Sequence, residues 1–583
     1  MSAVSKYLEY YQEKSHFFYS IVPLVVTTLS LFAIKKLLFI RGAKRYSNKF
    51  LHGAILVIIF ILNANLWYYI VTSIVDVHLQ YKLNTSPTFN LLHSPVTDSI
   101  ANLNFTEFKM PGYSFLEMGM DELNDFDCGK IRFLDESNVK ASDAHSIDQS
   151  RDLKMIRDQA LRMNETGEFP IIRKCFFDKD YEKERDILKM KWFKFNGASA
   201  WLDHFEVYFV VSRVSYSRMK RRNRPVISLV YAQVFDKDWN EILDYKFPNS
   251  ELSFPSILPI QTDEHPEGQN VFLGADDPRL TLRTVVDPET KIAYQEPVVI
   301  FNAYVAELGW KRAIHTYRPL NDAKNPTRMK IVDMEPKERE KNWAPFFDDD
   351  PSSINFVYSF EPLRILKCNL ESGDCEKVEG PEIEANDAQP LRGGTNIVSV
   401  PSVFLPKGIA ATRQYWFGIA RSHILGCGCL KRVYRPHSFL ISKEINTNNF
   451  TLDYVSSLMD FNINVDAWEL GMDNAKCTDG KNVMIPSSIA FWDTIHKDNK
   501  EENRVSEDIM GLTFSEADRT TKVIHIKGFL KHIVEVVSGD LGKVKDHYSN
   551  RAVILRENEL LGKCSISLAD EYCKETEKQM QWT

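Results

Sequence analysis

Positive charge is not in surplus in this chain of 583 residues: 72 Lys and Arg stand against 79 Asp and Glu, a formal net charge of −7. No global basic field is available to hold a polyanion by counterion release, which sets nucleic-acid binding aside. Gly and Pro number 25 each and follow no period, which excludes a collagen-like rod; with 44% hydrophobic residues, a mostly disordered chain is excluded as well. Cysteine is sparse, nine residues, and none precedes Cys128. The sequence also lacks a GxSxG elbow, a Walker A loop, an HExxH helix and a GxGxxG turn after a strand. The usual hydrolase, ATPase, zinc-protease and dinucleotide readings therefore lose their carriers.

Long hydrophobic runs are confined to the N-terminus. Residues 54–77 carry no charge before Asp76, and the run is long enough to cross a bilayer at about 20 residues per span. Trp67, Tyr68 and Tyr69 fall in its latter half, where rings settle at the far interface. Residues 17–33 contain Pro23 and are marginal in length, so they read either as a second span or as an interfacial helix. Between the two runs lie Lys35, Lys36, Arg41, Lys44, Arg45 and Lys49, and the basic side stays cytosolic. With no small-residue cleavage site in view, this predicts an uncleaved signal-anchor in type II orientation. The expected division is a cytoplasmic and juxtamembrane segment 1–53, a transmembrane anchor 54–77, a stem 78–165 and a lumenal domain 166–583.

Lumenal placement admits N-glycosylation and disulfides. Sequons stand at Asn84, Asn104, Asn164 and Asn449, and every cysteine lies beyond the anchor. Cys368 and Cys375 flank NLESGD, good turn chemistry for a bridged hairpin. Cys564 and Cys573 can close a similar local loop; free buried thiols are the alternative for both pairs. Cys427 and Cys429 have only His423 near them, short of a metal-ligand set, so disulfides to distant partners are favoured.

From about residue 170 short β-rich runs recur, including 205–214, 225–235, 297–304, 355–360, 415–420 and 437–441, separated by Pro, Gly, Asn and Asp turns. So many strands predict a mainly β domain: a barrel, paired sandwiches or a propeller, with no repeat period to choose among them. The last fifty residues are richer in helix formers.

Three clusters carry chemistry. In GADDPRL (274–280) an Asp can transfer a proton while Arg279 holds an anion; an Asp-capped turn is the plainer reading. KNWAPFF (341–347) runs into Asp348, Asp349 and Asp350, which either ligate a hard divalent cation or form a solvated acidic turn. The third cluster joins Arg392-Gly-Gly-Thr-Asn396, Arg421-Ser-His423 and Tyr434-Arg-Pro-His437, where a Gly-Gly turn permits close ligand approach and Arg and His supply charge for phosphates.

GADDPRL, KNWAPF, INFVYSFEPLRIL, RGGTNIVSVPS, ARSHILGCGC and YRPHSFL, in this order, resemble the fungal beta-mannosyltransferases, which add β-1,2-linked mannose to yeast cell-wall mannan. The resemblance spans residues 165–570 and fits the signal-anchor. A more distant likeness joins these enzymes to beta-mannoside phosphorylases, five-bladed β-propellers with a catalytic Asp in Gly-x-Glu-Asp-Pro-Arg; here Asp277 matches that Asp and Asp276 replaces the Glu. The resemblance implies a five-bladed propeller-like lumenal domain with some C-terminal helix, in a membrane protein of the secretory pathway, expected in the Golgi. It also implies inverting transfer of mannose from GDP-mannose to a mannan 2-hydroxyl. In that reading Asp277 is the base and Asp276 its orienter; Arg279, Arg392, His423, Arg435 and His437 hold the phosphates; Trp343, Tyr434 and Asn342 contact sugar. No cofactor is required by this reading, leaving-group stabilisation by Arg and His is favoured over a divalent metal, and the acceptor is a mannan oligosaccharide. The competing readings are a non-catalytic carbohydrate-binding propeller and a beta-mannoside phosphorylase or hydrolase.

Overall fold

The computed structural model describes residues 93–114, 128, 131–135, 138–167, 172, 183–248, 250–264, 272–286, 293–321, 325–383, 390–425, 432–463, 465, 483–495, 507–538 and 551–581. The expected signal-anchor 54–77, the run 17–33, the sequon at Asn84 and both Cys427 and Cys429 lie outside these residues. Among the described residues no helix is long and apolar enough to cross a membrane. A boundary between compact units falls at residues 84 and 85, and everything described belongs to the second unit.

The described residues are mainly β, laid out as five sheets of largely antiparallel strands. The first holds Trp192–Leu202, Val207–Tyr216 and Ile227–Phe235; the second Asp276–Val286, Ala293–Val305 and Lys311–Tyr317. The third holds Ala344–Phe346, Ser353–Phe360, Leu363–Asn369 and Asp374–Glu379; the fourth Leu391–Arg392, Arg413–Leu425, Arg432–Glu444 and Phe450–Ser456; the fifth Met484–Ile495, Glu507–Glu516 and Thr520–Lys527.

The strands read as unbroken apolar runs because both faces of a sheet are covered. On Val207–Tyr216, Phe209 and Val211 face a core shared with Leu280, Val299 and Phe301 of the second sheet. Their neighbours Tyr208 and Val210 face the fifth sheet at Ala490, Phe491 and Val523. The same division holds onward: Val298, Ile300 and Ile314 meet Ile354, Phe356 and Leu366 between sheets two and three. Phe346, Phe360 and Ile365 meet Trp416, Phe439 and Leu452 between three and four. Phe417, Ile419 and Leu440 meet Met484, Trp492 and Leu512 between four and five. Each such aromatic or branched side chain contributes about 1.5–3 kcal/mol of burial.

Segment 78–165, expected as a stem, is partly woven into this core. Phe105–Glu107 and Lys140–Ser142 extend the fifth sheet beside Thr520–Lys527, and Gly112–Ser114 and Arg132–Leu134 extend the fourth beside Phe450–Ser456. Strands of three residues are too short to show a period, so nothing in the sequence marked them.

The expected helical C-terminus is Phe529–Ser538, capped by the Asp508 carboxylate, which accepts from the backbone of Gly528 and Leu530, and Arg551–Gln581, packed on the fourth sheet. Asn558 accepts the Leu452 amide at 3.0 Å and Ser565 donates to the Val455 carbonyl at 3.0 Å. Cys368 and Cys375 are bonded directly across a hairpin. Cys564 is bonded to Cys128, not to Cys573 as expected, because the long helix keeps the two apart and turns Cys564 toward the N-terminal strands; Cys573 is in a different disulfide. Of the sequons, Asn104 and Asn449 are exposed and Asn164 is half-buried on the helix Asp152–Thr166.

Two expectations follow for stability. Replacing Cys128 and Cys564 together by Ser removes a bridge across 436 residues; thermal denaturation is expected to show a loss of about 2–5 kcal/mol. Glu361 lies against the C-terminal helix at Gly562, and burial pushes its carboxyl up to about 7 despite the opposing charge of Lys563. Between the unfolded value and about 7 the native state holds a proton that the unfolded chain has released, so stability falls as pH rises through that window and levels off above it. Urea titrations at pH 5 and pH 8 are expected to show the parent losing on the order of 2 kcal/mol relative to Glu361→Gln; an equal parent-to-variant difference at both pH values would refute this.

Candidate active site

The motif GADDPRL crosses from the first sheet to the second. Gly274 makes the crossing with φ 88°; a Cβ there would stand 2.1 Å from the Ser228 carbonyl oxygen, so only glycine lets the chain lie this close. A register shift between Asp276 and Arg279 then bulges the strand at its first residues, and Asp277 sits at φ 49°. The bulge turns adjacent carboxylates different ways.

Asp276 points inward and is buried. Its Oδ1 accepts from Arg213 Nη2 at 2.6 Å and from the Ser228 hydroxyl at 3.3 Å, and its Oδ2 accepts from Arg312. Arg312 also donates to Asn302, whose Nδ2 donates to the Asp276 carbonyl at 3.2 Å. Asp277 points outward, its side chain 30% exposed, and accepts from Arg213 Nη1 at 3.1 Å. The two carboxyls are driven apart. Burial pushes Asp276 up, against Arg213 and Arg312. At Asp277 burial acts the same way, but the combined field of Arg213, Arg312, Arg421 and Lys341 holds it well below the usual carboxylate range.

The surrounding cations come from three sheets and the segment leading into a fourth. Arg213 stands on Val207–Tyr216, Arg312 on Lys311–Tyr317, Lys341 just before the third sheet, and Arg421 on Arg413–Leu425. Arg279 anchors to the carbonyls of Pro486 at 2.9 Å and Ser487 at 3.3 Å; burial, then the charge of Arg421, brings it down to about 9. Burial also lowers Lys341. The Phe272 ring lies between the guanidiniums of Arg213 (5.7 Å) and Arg312 (5.2 Å), and Tyr304 lies 5.6 Å from Arg312. Arg421 donates to Asn342 Oδ1 and covers Tyr434 at 5.8 Å, and Tyr434 stacks on His423 at 4.5 Å.

The candidates named from sequence thus separate. Asp276, Asp277, Arg279, Asn342, Tyr434 and His423 belong to this neighbourhood. Arg392 pairs in register with Arg421, and its charge bears on Glu361. Arg435 and His437 face the other way, because strand neighbours alternate: Tyr434 is opposite His423 and Arg435 opposite Ser422. Arg435 is buried toward Tyr572 and Asp460. His437 Nδ1 donates to the Ser456 carbonyl at 2.9 Å, and burial brings it down to about 4, so it is neutral and carries no charge for a phosphate. Trp343 is core: its indole donates to Glu340 at 3.1 Å and packs on Phe356 and Tyr358. The Gly393-Gly394 pair approaches protein rather than open space; a Cβ at either would stand 2.3 Å from a backbone oxygen, of Asn342 or of Ile419. The acidic run 348–350 is a turn whose Asp350 pairs with Lys367 at 3.0 Å.

Sequence reading missed Arg213, Arg312, Lys341, Phe272 and Tyr304. The available signal was a lone Arg or Asn inside apolar strands, as in FVVSRVSY and VIFNAYV, since a buried charge or amide demands a partner.

A paired carboxylate beneath a surplus of cationic side chains is the equipment of a group-transfer enzyme whose leaving group is an anion. Similarity to known proteins narrows that class. Residues 127–325 and 321–572 match the family model described as Beta-mannosyltransferases. The chain is 41% identical to Beta-mannosyltransferase 3 of Candida albicans (strain SC5314 / ATCC MYA-2876) over 90% of its own length and 91% of that protein's. It is 31% identical to Beta-mannosyltransferase 1 of Komagataella phaffii (strain GS115 / ATCC 20864) over 79% and 72%. The chain belongs to the beta-mannosyltransferase family and is a glycosyltransferase. Among solved structures, a Beta-1,2-Mannobiose phosphorylase from Listeria innocua aligns with TM-score 0.33 at 12% identity, covering 62% of this chain and 95% of that one; so loose a likeness carries no argument.

The displacement of Trp343 from the site is directly testable. Trp343→Phe is expected to cost about 1–3 kcal/mol through the lost indole hydrogen bond to Glu340, seen as a lower melting temperature. Substrate KM values should stay within about twofold.

Proposed function

We propose that this chain transfers mannose from GDP-mannose, with inversion, to the 2-hydroxyl of a terminal mannose on mannan side chains during cell-wall biosynthesis. The observation that carries the reading is the geometry of the adjacent carboxylates, Asp276 buried and Asp277 half-buried and turned outward, in a site where cations outnumber carboxylates. In a single displacement the acceptor oxygen attacks the anomeric carbon and surrenders its proton to Asp277, directly or through a sugar hydroxyl. The bond to the phosphate oxygen breaks on the opposite face, and the diphosphate leaves with its electron pair.

A phosphorylase or hydrolase needs the matching carboxyl to begin protonated, and the field of four cations at Asp277 opposes that. Arg312, Lys341 and Arg421 supply charge for the departing diphosphate, with Arg312 and Arg421 held in place beforehand by Asp276 and Asn342. Asp276 serves as orienter by fixing two of the guanidiniums.

For the architecture, the reading is a five-bladed propeller-like domain. It is supported by five successive sheets, each sharing a core with the next, and by the first and fifth sharing one as well. A site where several sheets contribute one cation each suits the end of such a ring. The apolar run 54–77 and the basic residues before it support a type II anchor in the secretory pathway, expected in the Golgi.

Product analysis tests this reading. Residues 80–583 incubated with GDP-mannose and an α-1,2-mannotriose acceptor, with and without EDTA, are expected to give a new β-1,2-linked mannose by NMR in both cases. Asp277→Asn is expected to reduce transfer by at least about 10³-fold while keeping GDP binding within a few-fold. Normal activity in that variant would remove Asp277 as base, and mannose 1-phosphate formed from mannobiose and phosphate would replace the transferase with a phosphorylase.

A further inference from the structure

Asp277 is a half-buried, outward-turned side chain on a bulge, and its left-handed backbone fixes where its Cα lies but not where its oxygens point. One group supplies that direction. Every nitrogen of Arg213 is committed: Nε donates to Ser228 at 3.2 Å, Nη2 to Asp276 at 2.6 Å and Nη1 to Asp277 Oδ1 at 3.1 Å. The guanidinium lies by the rings of Phe195 at 5.2 Å and Phe272 at 5.7 Å. Asp276 is itself held from the far side by Arg312. The fork is therefore immobilised before any substrate arrives, at a point where two sheets and the turn bearing Asp518 come together.

We propose that Arg213 is the positioning residue of the transfer reaction: tethered from behind by Asp276 and Ser228, it grips one oxygen of Asp277 and leaves Oδ2 directed to the acceptor hydroxyl. This rests on Asp277 being the base. A planar fork with fixed N–H directions does this, and an ammonium, a point charge on a flexible stem, does not. The same residue contributes to keeping Asp277 ionised, so its loss changes both the aim of the base and the pH at which the base is available.

The test uses the full-length protein in detergent micelles, with GDP-mannose and mannotriose. Arg213→Lys keeps the charge and loses the fork; kcat is expected to fall roughly 10²-fold, with the KM for GDP-mannose changed less than about threefold. Arg213→Gln removes the charge, which raises the proton affinity of Asp277, and the acid limb of the kcat profile is expected to move to higher pH by about one unit or more. Arg213→Gly is expected to regain part of its kcat when guanidinium ion is added at millimolar concentration, too little to unfold the protein. A merely structural arginine would give neither the shifted limb nor the rescue.

The inference is overturned if Arg213→Lys and Arg213→Gln keep kcat within threefold of the parent with an unmoved acid limb while Asp277→Asn is inactive. If Asp277→Asn is active, the base assignment fails and this inference with it, so the two failures are told apart. If the Arg213 variants do not fold, Asp276→Asn decides. It keeps a hydrogen-bonding group beneath the fork but frees the fork from a charged anchor. A kcat lowered at least about tenfold, with guarded GDP-mannose KM, supports the inference, and unchanged kcat contradicts it.

Discussion

The structure turns on a buried carboxylate held between two guanidiniums. Asp276 is buried, and an isolated charge there would cost several kcal/mol; Arg213 from the first sheet and Arg312 from the second offset that cost together. None of the three can leave without stranding the others, so the pair of ion pairs fixes how the two sheets meet. It also fixes where the next residue stands. Asp277 is delivered to the surface because Asp276 is pulled inward and the strand bulges between them.

The other cations arrive through the packing of whole sheets. Each sheet is covered on both faces, and the cores between neighbours set the spacing at which Lys341 and Arg421 face Asp277. Like charges gathered this closely repel, and the structure answers with fixed acceptors: carbonyls for Arg279, the Asn342 amide for Arg421, ring faces for Arg312 and Arg213. The free site thus stores an unfavourable concentration of positive charge that an incoming anion relieves. That is the physical sense in which the site is prepared for an anion.

Much of this was legible in the sequence. Turn residues between β-rich runs gave a mainly β domain, NLESGD gave the bridged hairpin, and two adjacent Asp before a Pro marked the carboxylates that the structure places among the cations. What failed did so for identifiable reasons. YRPH was read as one cluster, yet a strand sends neighbours to opposite faces, so Tyr434 reaches the site while Arg435 and His437 turn into the interior. Trp343 was taken for a stacking platform on residue type alone, and residue type does not distinguish a buried indole from an exposed one. Arg213 was passed over because it sits in an apolar strand, where a solitary charge signals a buried partner far away in sequence, and Arg312 because it follows Lys311 at a strand start; the partner of each is found only after folding.

The central claim is that the cations around Asp277 receive the diphosphate of the donor. A crystal structure of the protein from residue 80 onward with GDP bound tests it most directly. The account predicts phosphate oxygens on Lys341 and Arg421, with Arg312 in support, and Asp277 unobstructed across the site from them. Phosphates bound instead on the Arg435 and His437 face, or anywhere that leaves Asp277 remote from the diphosphate, would contradict it.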